Sequence, residues 1–191
     1  METNAEETWK KIETSRLALG EYLKNIDPSD WEKQSWCEAW TVKDAAAHLL
    51  VIPTIAKGKV FFQFLKSGFK LDKMNDVFVK QISTTLSTDE IAAKTIDFAS
   101  SQTLPPGLKL NGAFGETVVH SIDVSEGVSK ALDLPTNIYV DCLEYYKDLK
   151  SVFEVPQRIA GLQLKATDAQ WQYGDGQLVE GPAKYLLSAI T

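Results

Sequence analysis

The apolar residues of this chain recur at three- and four-residue spacings in one segment after another. Only beyond Gly161 does the pattern change to alternation. A chain patterned this way buries its apolar stripes helix against helix, with room for one small sheet near its end. In residues 6–26 the stripe is Trp9, Ile12, Leu17, Leu19, Tyr22, Leu23 and Ile26. It stops at Asp27-Pro28, because the residue before a proline is pushed out of the α region. A connector with Trp31, Trp36 and Trp40 follows. Thr41 then reads as an N-cap with Asp44 at the N3 position of a capping box. A helix is expected from Val42 past His48, kinked or broken by Pro53, with helical register continuing over 54–65 to a stop at Ser67-Gly68.

A third helical stretch spans 73–100 and restarts at Ser87-Thr88-Asp89-Glu90, where N-cap and first-turn acids cluster. Pro105, Pro106 and Gly107 mark a loop, 113–132 is helical again, and Pro135 opens a helix expected to run to about residue 153. Beyond that, Leu162, Leu164 and Ala166 alternate with Gln163, Lys165 and Thr167 as in a half-buried strand. Trp171 to Tyr173 and Gln177 to Val179 flank Gly174-Asp175-Gly176, a good hairpin-turn sequence, and Gly181-Pro182 opens a last short helix. The fold expected is mainly α: an up-down four-helix bundle over 1–155, with a small C-terminal β-hairpin/α extension over 156–191 packed on it.

A chain of 191 residues buries roughly 70% of its unfolded surface and needs no covalent staples. Its net charge of −6 argues against broad binding to a phosphate backbone, so no nucleic-acid partner is expected. Cys37 and Cys142 are too few for a disulfide framework or a Cys-rich zinc module. The N-terminal residues show no targeting signal, and the longest apolar stretch, around 45–56, is too short to span a bilayer. These readings predict a cytoplasmic protein with no membrane partner.

Only two histidines are present, His48 and His120. Any histidine chemistry must use one or both. Glu116 and His120 are four residues apart on a predicted helix and so share a face, and His48 lies on another helix, about two turns in from its cap. Helix bundles build metal sites from facing helices, and two imidazoles with one carboxylate make a three-ligand site with a position open to water or substrate. Zinc is the metal expected, although two nitrogens and one oxygen do not select sharply against iron, nickel or manganese. Asp123, three residues beyond His120, and Asp44, four before His48, are the acids placed to orient an imidazole. Read from spacing alone, the alternative is an ordinary exposed Glu–His pair and an unrelated histidine.

Three segments together carry a family resemblance. Residues 36–49, from Trp36-Cys37 through Trp40-Thr41-Val42-Lys43-Asp44 to His48-Leu49, resemble the entry to the second helix in the mycothiol-dependent maleylpyruvate isomerase family, a branch of the DinB-like metalloenzymes. Gly115-Glu116 through His120 to Asp123 is similar to that family's Glu/His/Asp helix. Ala166-Thr167-Asp168 with Trp171, Gly174 and Gly176 is similar to its C-terminal segment. The resemblance implies a DinB-like bundle with a divalent metal on His48, Glu116 and His120. It also implies a low-molecular-weight thiol as cofactor or cosubstrate. The activity it implies is isomerisation of, or thiol transfer to, a small electrophilic or carboxylated substrate. No catalytic base is named by it. The alternative is a non-catalytic metal-binding or small-ligand-binding bundle. Expected partners are a small-molecule substrate and, at most, a second copy of the chain as a homodimer.

Other residues have blander readings. Cys37 could be a reactive thiol but reads more simply as packed in the tryptophan-rich connector, and Cys142 as core. Arg16 and Arg158, the only arginines, could each grip a carboxylate or merely pair on the surface. Lys57, Lys59, Lys66 and Lys70 form a mild basic run, most simply a solvated face.

Overall fold

The computed structural model describes residues 5–104, 107–128, 130–132, 134–150 and 153–191. Pro105 and Pro106 of the expected loop lie outside them. The chain divides into two compact units, Met1–Leu132 and Asp133–Thr191. In the first unit the described elements are α1 (Ala5–Lys24), a 3₁₀ turn (Pro28–Glu32), α2 (Val42–His48), α3 (Val51–Thr54), α4 (Lys57–Lys66), α5 (Leu71–Thr85), α6 (Thr88–Asp97) and α7 (Leu110–Val128). In the second they are α8 (Thr136–Tyr146), α9 (Val155–Arg158), β1 (Leu162–Ala166), β2 (Gln172–Gly174), β3 (Gln177–Gly181) and α10 (Ala183–Ile190). The architecture is mainly helical with one small sheet near the C-terminus, as the periodicity predicts. No described helix is long and apolar enough to cross a membrane.

In the first unit α1 packs on α6 and α7, and α2 packs on α5 and α7. Ile12, Leu19 and Leu23 of α1, Val79 of α5, Ile91 of α6, and Val118 and Ile122 of α7 are buried between them. Each such side chain contributes about 1.5–3 kcal/mol relative to leaving it in water. Gly20 permits the close approach of α1 to α6, since a Cβ there would run into the Ile96 side chain. α7 is buried over most of its circumference, and its inward hydroxyls are satisfied within the helix. Thr117 Oγ1 donates to the Ala113 carbonyl at 2.9 Å, and Ser121 Oγ to that of Thr117 at 2.6 Å.

The expected capping box at Thr41 is present, and the acid-rich restart at Ser87 proves to be a second one. Thr41 Oγ1 accepts from Asp44 N at 3.2 Å while Asp44 Oδ2 accepts from Thr41 N at 3.3 Å, and Ser87 and Glu90 repeat the arrangement. Pro53 acts one turn upstream of itself. It lacks the N–H that Leu49's carbonyl would take, so α2 ends at His48 and the chain resumes as α3.

The second unit departs from the sequence reading in two places. The helix begun after Pro135 ends at Tyr146, well short of 153. Glu154, just past the expected end, adopts a left-handed backbone (φ 50°) that keeps the short α9 separate from α8. The turn at Gly174-Asp175-Gly176 does not join a hairpin. The strand order is β2-β1-β3, with β1 antiparallel to β2 and parallel to β3, so the hairpin turn is the 167–171 loop. The two glycines instead let the chain cross the start of β1. A Cβ at either would collide with the carbonyls of Leu162 and Gly161, and Gly174 holds φ +84°. α8 packs against α10, and Trp171 Nε1 donates to Glu144 Oε1 on α8 at 2.6 Å. The boundary expected near 155 therefore falls inside this unit, because α8 is held by the elements that follow it.

Candidate metal centre

His48, the last residue of α2, and Glu116 and His120, one turn apart on α7, come together between the two helices. One ligand atom from each lies within 4.8 Å of the others. His48 Nε2 faces Glu116 Oε2 at 3.2 Å, and the two imidazole centroids are 4.7 Å apart, nearly perpendicular. Asp123 follows on the same face of α7. Its Oδ2 lies 2.9 Å from His120 Nδ1, which leaves His120 Nε2 as that ring's remaining nitrogen.

Trp40 covers the pair of rings. Its centroid is 4.7 Å from that of His48 and 5.5 Å from that of His120, and its indole N–H donates to Asp76 Oδ1 on α5 at 3.1 Å. His48 is buried, and its Nδ1 has no hydrogen-bond partner among the described residues. Ring packing against Trp40 and His120 therefore holds that side chain.

The surroundings set the charge states. Burial pushes the His48 imidazole below its ordinary range, and the neighbouring His120 adds to this, so the neutral ring with a free lone pair is favoured. Burial pushes the Glu116 carboxyl up, but the hydrogen bond from His48 and the neighbouring imidazoles more than offset it. The group sits below the ordinary glutamate range, ionised. A neutral imidazole and a carboxylate are the forms a metal ligand needs, so the donor set fits a divalent ion.

The remaining sequence candidates sit elsewhere. Asp44 is not turned to His48. Its Oδ2 completes the cap with Thr41 and accepts from Lys80 Nζ on α5 at 2.5 Å. Burial pushes the half-buried Cys37 thiol up, and the carboxylates of Asp123 and Asp76 add to this, against thiolate chemistry there. Arg16 grips no carboxylate among the described residues. It donates to the carbonyls of Ala99 (3.4 Å) and Ser101 (2.8 Å) just beyond α6. Arg158 is exposed on α9. Trp36 is half-exposed, Trp31 is core, and only Trp40 of the connector tryptophans meets the histidines. Sequence reasoning missed Asp76, since nothing local signals a partner 36 residues from Trp40.

A mainly helical protein with a His–Glu–His cluster between two of its helices is the class that this fold and site define. Among solved structures it is similar to the mycothiol-dependent maleylpyruvate isomerase, crystallised as a histidine-to-alanine mutant. The TM-score is 0.57, and the match covers 97% of this chain and 88% of that one at 16% sequence identity. The two proteins share a fold. No family model matches the sequence, and no curated protein does.

Proposed function

We propose that this protein is a metal-dependent isomerase that works with a low-molecular-weight thiol on a small electrophilic or carboxylated substrate. Thiol transfer is the closely related alternative chemistry. The observation that carries the reading is the convergence of His48, Glu116 and His120 within the fold of a thiol-dependent isomerase. These three residues would hold the ion, for which zinc suits the donor set best. When bound, a divalent ion there supplies a Lewis acid that lowers the pKa of a thiol or water or polarises a carbonyl.

The protein's own residues prepare the site. Asp123 fixes the His120 tautomer by taking its Nδ1 proton in a hydrogen bond, which makes the other nitrogen the donor. Trp40 closes one side of the imidazole pair with apolar surface and is itself fixed by Asp76. The isomerisation needs no oxidant: a thiolate adds to a conjugated double bond, the adduct rotates, and the same thiolate leaves.

Metal analysis of protein purified without added metal, paired with thiol-dependent turnover of maleylpyruvate, tests this. Stoichiometric metal and turnover requiring mycothiol or glutathione, both lost in His120→Ala, are expected. Metal without thiol-dependent turnover would leave a metal-binding bundle and remove the isomerase. Absence of metal, with His48→Ala as stable as the parent, would remove the whole reading.

A further inference from the structure

The segment that follows α3 exposes apolar side chains that nothing among the described residues covers. On α4, Val60 is buried and Phe64 half-buried, so they face the protein. Phe61, Phe62 and Leu65 fall on a separate arc of about 100° and are outward. The following turn adds Phe69, and the start of α5 adds Leu71. These five residues are 41% to 68% exposed. Phe69 is the most exposed of them and adopts a left-handed backbone, φ 62°, which a bulky residue rarely takes. Its ring meets that of Phe64 edge-on at 5.5 Å, so the turn is folded against α4. That contact leaves most of the Phe69 ring in water.

The charge of this segment is opposite to that of the molecule. Residues 59–73 hold four exposed lysines, Lys59, Lys66, Lys70 and Lys73, against one exposed acid, Asp72, a net of +3 in a chain of net −6. Lys59 and Lys66 fall beside Phe62 on the helical wheel, and Lys66 Nζ lies 4.9 Å from the Phe62 ring centroid. Two-fold pairing of this patch with its own copy would bring like charges together. A surface both anionic and apolar just beneath matches it: phosphate and carboxylate headgroups for the lysines, the acyl boundary for the phenylalanines.

We propose that α4 and the turn after it form a docking surface for an anionic lipid bilayer, on which the protein lies without spanning it. In the sequence the lysine run reads as a solvated face. The outward phenylalanines between the lysines give it this second meaning.

Cosedimentation of the full chain with vesicles tests the proposal. Binding is expected to phosphatidylserine–phosphatidylcholine vesicles, weakened by salt and about tenfold weaker on phosphatidylcholine alone. The double variants Phe61→Ser/Phe62→Ser and Lys66→Glu/Lys70→Glu should each lose it while keeping the parent's circular dichroism and urea midpoint. Phe69→Ser serves the same purpose should either fail to fold. No binding to anionic vesicles, or binding that persists in a folded variant, would overturn the proposal. So would equilibrium sedimentation showing a self-associated protein that Phe61→Ser/Phe62→Ser dissociates.

Discussion

At the scale of single residues, the chemistry depends on side chains whose second partner is as informative as the first. Asp123 holds His120 by the nitrogen that would not face the metal, so Asp123→Asn should weaken zinc binding by about 10–100-fold with the fold intact. Competition titration against a chelating dye measures this, and an unchanged affinity would remove Asp123 from the site. Asp44 makes a different prediction, because its carboxylate belongs to the fold. Burial pushes its carboxyl up, but the hydrogen bonds from Lys80, Ser83 and Thr41 outweigh that, and it ends below the ordinary aspartate range. A carboxyl depressed on folding contributes stability above its unfolded value of about 3.9, and that stability is lost as pH falls through the lower folded value. Asp44→Asn should therefore cost about 1–2 kcal/mol near neutrality, with the gap to the parent closing on acidification below about pH 4, read from urea unfolding at stepped pH. From the sequence both acids were equal candidates to orient an imidazole. Spacing along a helix shows which face a residue is on, and it does not show that Lys80, 36 positions away, takes one of them.

At the scale of elements, the site exists because two helix faces and one connector are held in register. Pro53 ends α2 at His48, and the capping box at Thr41 starts it, so a seven-residue helix delivers its last side chain to α7. The connector is fixed on the other side by Trp36 N donating to the Asp123 carbonyl at 3.1 Å. Gly127 makes room for it: a Cβ there would lie 2.8 Å from both the Gln34 carbonyl oxygen and Ser35 Cα, backbone atoms that cannot swing away. Gly127→Ala should push the connector off α7 and cost about 1–3 kcal/mol, visible as a lower urea midpoint, with Trp40 fluorescence changed as its contact with the histidines loosens. An unaltered midpoint would mean the connector has slack that the close approach does not show. Capping boxes and the proline break were legible because their physics lies within a few residues. The C-terminal strand order was not. A Gly-Asp-Gly between two strand-like runs satisfies the local rule for a hairpin, yet the choice of partner strand rested on β1, whose two edges take β2 and β3 separately.

At the scale of the whole molecule, a metal shared by α2 and α7 would couple binding to folding. Zinc at a hundredfold excess over its dissociation constant should stabilise the protein by about 2.7 kcal/mol, seen as a rise in Tm that chelator reverses and His48→Ala abolishes. A Tm indifferent to zinc would separate the cluster from metal binding. The sequence by itself determined the helical class, most helix starts and stops, and the shared face of Glu116 and His120. Periodicity, caps and prolines act locally, and a helix converts spacing directly into a shared face. The tertiary structure decided what those side chains meet: His48 brought to Glu116 and His120, Trp40 laid across both imidazoles and fixed by Asp76, and Asp44 withdrawn to Lys80. Each of these depends on elements far apart in the chain being brought together, and no short window of sequence contains that information.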